Sequence, residues 1–599
     1  MVTKRTSAAC GLIAAAALAV VWWRLGGWLI NPVNYTTTAA PRARDVVWMI
    51  GPAAAVLAGA GLLWRGGQAA RIALVPLLML VALAGLAWAG VAPVFLPFAL
   101  LVIAAGWCLD SLRLPTGAAR SLLDRAAPAI LVLAIVAATA WHALAQENFW
   151  RHFMLGYADF GFFTTELEHC LPWSQAADRF ADTRMGYHCI PFFYVLVPLY
   201  AIFRSPTFLM VIGPLALNLA ALAFYDLAQR RSGSRIVGLL VGLAWLALPS
   251  ISRLPYANTY GFQSIYLAVP WLAFMLDCGL TGRWRWAHLC LLAALLCEET
   301  VCGVALGWGL YLLLFTPRRR DAAIIIAVAL GYLALTTQVI IPHFATAQTY
   351  TRVQLFGDLS ASAIVHRLTR SRDWLYLLAL TAPLLVWIVR APRLLLVAAP
   401  PLALVLILQN PDWLNLKYWH QSSALPALFA AAVVGATQQS RDRKGAENEH
   451  ERPRSSLATS AALGLLVATL LAHQALGYSP ITRAYALQRQ SGALAAEDPR
   501  LAVVRHLRES IPHNRTILAT ERLAAHFTDY RAVYAGHAPH PTDVVLIDTR
   551  DTWDTSGLAQ RVPELLADDA CRFYGESAGI QVLDCADPTV RAEPFVKPR

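Results

Sequence analysis

Apolar runs of about bilayer-spanning length dominate this chain, and its polar residues are gathered into the short breaks between them. Runs near 10–30, 46–64, 72–90, 93–109 and 128–146 come first. A polar interruption at 147–191 follows. Further runs lie near 206–229, 236–251, 262–279, 286–297, 301–316, 321–341, 373–390, 394–409, 421–438 and 457–475. This pattern predicts a mostly α, polytopic helical membrane protein of about fifteen spans. The run 286–297 is short enough to be half of a hairpin buried against neighbouring helices rather than lipid. From about Tyr478 the pattern changes. The amphipathic LAVVRHLRESI precedes the short apolar stretches TILAT, RAVYA, DVVLIDT and IQVLDC, with Pro512, His513 and Asn514 as a turn before the first of them. A small α/β domain is expected there. Three regions result: an N-terminal transmembrane extension at 1–126, a transmembrane core at 127–477 containing the polar loop 147–191, and an extracytoplasmic α/β domain at 478–599.

Sidedness follows from the basic residues, which concentrate in cytoplasmic loops. Lys4 and Arg5 place the N-terminus inside, ahead of a first run that reads as an anchor. Alternation then puts Arg65, Arg71, Arg113, Arg120 and Arg125 inside and the loop 147–191 outside. The stretch 190–204 carries Pro191 and Pro198 and is short for a span, so it is expected to lie at the interface. With that choice Arg230, Arg231, Arg235, Arg283, Arg285, Arg318, Arg319, Arg320, Arg390 and Arg393 all fall inside. The C-terminal domain then lies outside the cytoplasmic (inner) membrane.

Composition agrees. Hydrophobic residues make up 57% and charged residues 14% of the 599, whereas soluble domains carry roughly 25% charged residues. The net charge of +12 fits membrane orientation, and no motif for reading nucleic acid is present. Of ten cysteines, Cys571 and Cys585 in the outer domain, and Cys170 and Cys189 in the outer loop, are the pairs placed where disulfides form.

The candidate chemistry sits on the outer side. The loop 147–191 carries Asp159, Glu166, Glu168, His169, Asp178, Asp182 and His188 among aromatic residues. Asp159 is suited to act as a general base toward a hydroxyl acceptor, with Arg151 as its nearest basic neighbour in sequence. With Glu166 it also offers oxygen ligands to a divalent cation, magnesium or manganese. Glu298 and Glu299 stand in an apolar setting, where a carboxylate costs about 2.5–3.5 kcal/mol at a helix centre, and so are candidate catalytic groups. His188, Arg352, Lys417 and His420 are candidates for holding a substrate phosphate, as are Arg367 and Arg370. The short link YANTYGFQ adds polar groups on the same side.

In YADFGFFTTELEH, GYHCIPFFYVLVPLYAIFRSP, YGFQ, CEE, LKYWHQSSALPALFAAAVVG and IPHNRTILATERLAAHFTDYRAVYAG the chain resembles the bacterial membrane family called domain of unknown function 2079, over roughly 150–550. That family carries Phe-His where Phe262 and Gln263 stand here, and Lys-Glu-Asp where Cys297, Glu298 and Glu299 stand. The family in turn is similar to the type C glycosyltransferases, which use polyprenyl-phosphate-linked sugars. The resemblance implies that architecture, a polyprenyl-phosphate sugar as membrane-lipid partner, and Asp159 as the acidic catalytic or metal-linked residue. Two other readings stand beside sugar transfer: a transporter or lipid flippase, and a non-catalytic envelope protein.

Overall fold

The computed structural model describes residues 102–103, 119–170, 184–256, 260–345, 351–410, 413–438, 455–482, 485, 497–536, 542–552, 557–567 and 571–585. The runs near 10–30, 46–64 and 72–90, and nearly all of 93–109, lie outside these residues, as do Asp178, Asp182 and the loop 441–454.

Among the described residues, four helices are long and apolar enough to cross a membrane: Leu122–Arg151, Thr207–Ser232, Arg319–Phe344 and Ala458–Leu476. Each coincides with an expected run. Six further apolar helices are shorter, among them Pro191–Ile202, Ser264–Leu280, Glu299–Phe315 and Pro392–Leu406. At 1.5 Å per residue they fall short of a hydrocarbon core about 30 Å thick, so the count of about fifteen spans is not confirmed. The run 373–390 is broken into Ser371–Thr381 and Leu385–Ile388, with Pro383 at the break, where it cannot donate to the helical ladder.

Thr207–Ser232 is central. Of its apolar window 67% is buried, against 28% for Leu122–Arg151 and 22% for Arg319–Phe344. Its end is set by Gly233, whose φ of 72° is the left-handed cap that glycine adopts without strain. Ser234 then caps the next helix, Arg235–Leu246, by accepting from the Val237 amide. The run 286–297 is the second arm of a hairpin with Ala268–Leu280, as expected, but it is only partly buried. The helix Trp284–Leu295 packs one face inward and leaves Trp286, Leu289 and Leu292 exposed, because the neighbouring helices cover one side of it only.

The stretch after the polar loop forms a short helix, Pro191–Ile202. It buries Phe193, Leu196, Val197 and Tyr200 and exposes Val195, Leu199 and Ile202. A helix this short with one apolar face outward suits an interfacial position.

The C-terminal part holds a five-stranded sheet: β1 Thr516–Ala519, β2 Ala532–Ala535, β3 Val544–Asp548, β4 Arg572–Ser577 and β5 Ile580–Asp584. The order is β2-β1-β3-β5-β4. β1 runs parallel to β2 and β3, while β5 is antiparallel to both β3 and β4. Four strands match the apolar stretches expected. β4 was not among them: its RFYGES is mostly solvent-facing and carries no apolar alternation. Cys571 and Cys585 form a disulfide across the β4–β5 pair, whereas Cys170 and Cys189 are both buried free thiols.

Ligand crevices in such sheets open at the carboxyl ends of parallel strands where the strand order reverses, here beside β1 and β3. In this chain that place receives residues 152–158 of the membrane part. Arg500 there binds Asp498 (2.6 Å) and Asp548 (2.5 Å), lies 4.2 Å over the Phe153 ring, and donates to the His152 carbonyl. Glu521, just past β1, accepts from the Ala158 amide. The Tyr157 hydroxyl donates to the Val533 carbonyl (2.9 Å), and Trp150 stacks on His526.

Candidate functional site

Asp159 lies on a π-helical turn, Tyr157–Gly161, that leads into the helix Phe162–His169. Turns of this kind recur at functional sites because the extra residue per turn redirects a side chain. Gly161 permits the close packing of this turn against the C-terminal domain. A Cβ there would lie 2.8 Å from the Tyr157 ring and 3.1 Å from the Ala525 backbone.

Asp159 lines a cavity that opens to the surface. Its polar lining is Asp159, Arg184, His188, Gln263, Glu298, Thr300, His420 and Ser423. Its apolar lining is Ile265 together with a wall of Leu355, Phe356, Pro401, Leu404, Val405 and Leu408. Leu404 is 42% exposed, so the apolar wall continues to the protein surface. Trp419 also lines the cavity.

The partner of Asp159 is Arg184, not Arg151, which pairs with Glu147 one helical turn earlier. Arg184 is 5% exposed. Its guanidinium binds Asp159, donates to the Ala158 carbonyl, and lies 4.4 Å over Phe163.

In the same cavity His188 Nδ1 is 2.8 Å from Glu299 Oε1 and 3.9 Å from Glu298 Oε1. Glu299 is fully buried and stands behind His188, where its Oε2 also accepts from the Cys189 amide. With Nδ1 engaged, Nε2 is the ring nitrogen left for the cavity. Glu298 lines the cavity and is fixed by Ser264 (2.9 Å) and Thr300 (2.7 Å), whose hydroxyls donate to its two oxygens.

Asp159, His188, Glu298 and His420, named from the sequence, thus share one space. Lys417 does not line it; its ammonium lies 4.9 Å over the Tyr418 ring. Arg352 lies on the short helix Thr351–Phe356, and its side chain is outside the described residues. Arg367 and Arg370 are also away from the cavity. Arg367 donates to the carbonyls of Phe356, Ile407 and Asp358, and Arg370 binds Asp373. Both brace the chain that builds the apolar wall.

Glu166 is engaged elsewhere, accepting from the Tyr194 hydroxyl at 2.6 Å. With Asp159 on Arg184 and Glu166 on Tyr194, this carboxylate pair does not fit a divalent cation that wants six or more oxygens. Among the described residues no group of three His, Cys, Asp or Glu side chains comes together as a metal cluster.

Burial pushes the Glu166 carboxyl up to about 7, against the hydrogen bonds from Tyr194 and the Arg184 backbone. Its folded value exceeds its unfolded one, so its ionisation costs stability as pH rises from about 4.5 to about 7. Glu166→Gln keeps an acceptor for Tyr194 and removes that cost. The variant is expected to melt higher than the parent at pH 8 and equally at pH 4.5, in thermal unfolding of detergent-purified protein. A parent whose advantage grows with pH would contradict this.

Arg184 and Gln263 are the cavity residues that sequence reasoning passed over as ligands. Arg184 stands, after Arg179, near the end of an acid-rich loop; Gln263 closes the YGFQ link. The apolar wall had no such signal, because Leu355 and Phe356 lie in a stretch that reads only as an outer loop.

Comparison with known proteins gives two kinds of likeness. The family described as "Predicted membrane protein (DUF2079)" matches residues 151–563. No curated protein matches the chain. Among solved structures, the fold is similar to that of ArnT from Cupriavidus metallidurans in the apo state, with TM-score 0.42 and 12% identity over 78% of this chain and 99% of that one. It is similar also to the same protein bound to undecaprenyl phosphate, with TM-score 0.44, 12% identity and the same coverage.

Proposed function

Since this chain belongs to the DUF2079 family of predicted membrane proteins, we propose that its cavity transfers a sugar from a polyprenyl-phosphate donor at the outer face of the cytoplasmic membrane. The observation that carries this reading is the cavity's mixed lining, polar residues beside an apolar set that reaches the surface. A lipid-linked sugar phosphate has a charged, hydroxylated head and a hydrocarbon tail. The polar lining with Asp159, Arg184, His188, Glu298 and His420 suits the head, and the wall from Leu355 to Leu408, reaching the surface at Leu404, suits the tail.

In this reading Asp159 takes the proton of an acceptor hydroxyl. The freed oxygen attacks the anomeric carbon, and the bond from that carbon to the phosphate oxygen breaks. The polyprenyl phosphate leaves with the electron pair. Arg184, already beside Asp159, and His420 offset the charge gathering on the leaving phosphate. His188, oriented by Glu299, is a second proton acceptor in the same cavity, and Glu299 is then a positioning residue.

The test uses proteoliposomes holding the full chain, polyprenyl-phosphate-linked radiolabelled sugar and total envelope acceptors. Label leaving the lipid fraction in step with protein supports transfer. Label that stays on the lipid but changes leaflet supports a flippase instead. Label that does neither overturns both.

A further inference from the structure

Gln263 is 4% exposed and lines the cavity, yet its amide nitrogen has no hydrogen-bond partner. A buried amide without a partner costs about 1–3 kcal/mol, a cost that a hydrogen-bond acceptor bound in the adjoining cavity would remove. Its neighbour Ser264 holds Glu298, which lines the same cavity. Each Glu298 oxygen accepts one hydrogen bond from the protein, through Ser264 and Thr300. An ionised carboxylate has about four lone-pair sites, so acceptor capacity remains on both.

We infer that Gln263 and Glu298 form a sugar subsite that takes an uncharged ring with neighbouring hydroxyls. The inference rests on the lipid-donor reading and names the head group that reading leaves open. The chemistry is complementary. A hydroxyl both donates and accepts, so it gives its proton to Glu298 and receives the Gln263 amide. A phosphate is disfavoured beside the Glu298 carboxylate, so the phosphate belongs on the Arg184 and His420 side. A uronate is disfavoured in the same way. A protonated amino sugar is drawn to Glu298 but offers the Gln263 N–H only another donor. Trp419 supplies an aromatic face in the same cavity, of the kind on which the C–H side of a neutral ring packs.

Purified full-length protein in detergent is titrated with farnesyl phosphate alone, then with farnesyl phosphate linked to glucose, glucosamine or glucuronate, with affinity read by calorimetry. The glucose conjugate is expected to bind most tightly, and more tightly than farnesyl phosphate alone. Gln263→Leu should weaken the glucose conjugate about tenfold, the loss of one hydrogen bond at a desolvated site, and leave farnesyl phosphate unchanged. That unchanged affinity also reports an intact fold. Gln263→Glu, nearly the same shape, replaces the donor with an acceptor and should shift preference toward glucosamine.

Equal weakening of farnesyl phosphate and of the conjugate in both variants overturns the inference. So does a preference of the parent for glucuronate or glucosamine. If farnesyl phosphate binds and glucose adds nothing, the subsite falls while the lipid-donor reading stands. If farnesyl phosphate does not bind at all, both fall.

Discussion

Asp159→Asn should lower sugar transfer by about 10²–10⁴-fold, the range that a positioned general base contributes, with the protein still inserted in the membrane. The ion pair with Arg184 makes a single substitution ambiguous. Removing either partner leaves a buried charge, and breaking a buried pair costs about 3–5 kcal/mol. Asparagine keeps an acceptor for the guanidinium, so the cost should fall below that range. The double variant Asp159→Asn with Arg184→Gln separates the two effects. It leaves neither charge unpaired, so its melting temperature should return toward the parent's while transfer stays lost. Recovery of both would make the pair a structural strut. Full activity in Asp159→Asn alone would remove the leading assignment.

Arg500→Ala should loosen the C-terminal domain from the membrane part. Arg500 pairs with Asp548, whose side chain is fully buried at the end of β3, and also covers the Phe153 ring. Phe153 itself has φ of 54°, an unfavourable angle for a residue with a Cβ. It is completely buried against the C-terminal domain, which holds it there. Loss of the guanidinium leaves the Asp548 carboxylate unpaired, at about 3–5 kcal/mol. That is a large share of the roughly 5–15 kcal/mol that stabilises a domain. Faster limited proteolysis of the C-terminal domain and a lower first melting transition should follow. Arg505→Ala is the control: both partners of its pair with Glu497 are more than 60% exposed, so it should change stability by less than about 0.5 kcal/mol. Equal behaviour of the two variants would mean that Arg500 does not hold the junction.

The same junction should weaken in acid. Burial, aided by Arg508 and Arg500, pushes the His526 imidazole down to about 3. The unfolded chain takes up that proton near 6.5 and the folded chain does not, so the stability held above about pH 6.5 is lost as pH falls toward 3. The stacked Trp150 should lose its contact over that range. Glu166 runs the other way, since acid removes its burial cost. The two profiles are therefore separable by site.

Much of the candidate site was legible because each residue broke a local rule. Asp159 stands in an aromatic loop, Glu298 and Glu299 interrupt an apolar run, and His188 and His420 lie at the margins of other runs. A charged or polar group in such a setting costs free energy, and that cost can be read without coordinates. Roles were less legible. Glu298 and Glu299 are adjacent and chemically identical, yet one faces the cavity and the other orients His188 from behind. A one-residue step reverses direction in an extended backbone, and Glu298 has φ −170° and ψ 143°. Arg367 and Arg370 looked like phosphate ligands because an arginine's charge is visible in sequence, whereas the carbonyls and carboxylate that already occupy these two are not.

By itself the sequence determined where apolar helices lie, which loop gathers the acids, and that a small α/β domain follows them, because hydrophobic periodicity records each segment's own surroundings. Only the tertiary structure decided that residues from Asp159 to Ser423 line one cavity, that Arg184 answers Asp159, that the Gln263 amide nitrogen has no partner, and that the C-terminal domain packs on the turn bearing Asp159. Those outcomes depend on how distant segments pack and which partner each buried polar group finds, and neither quantity is carried by any local window of the chain.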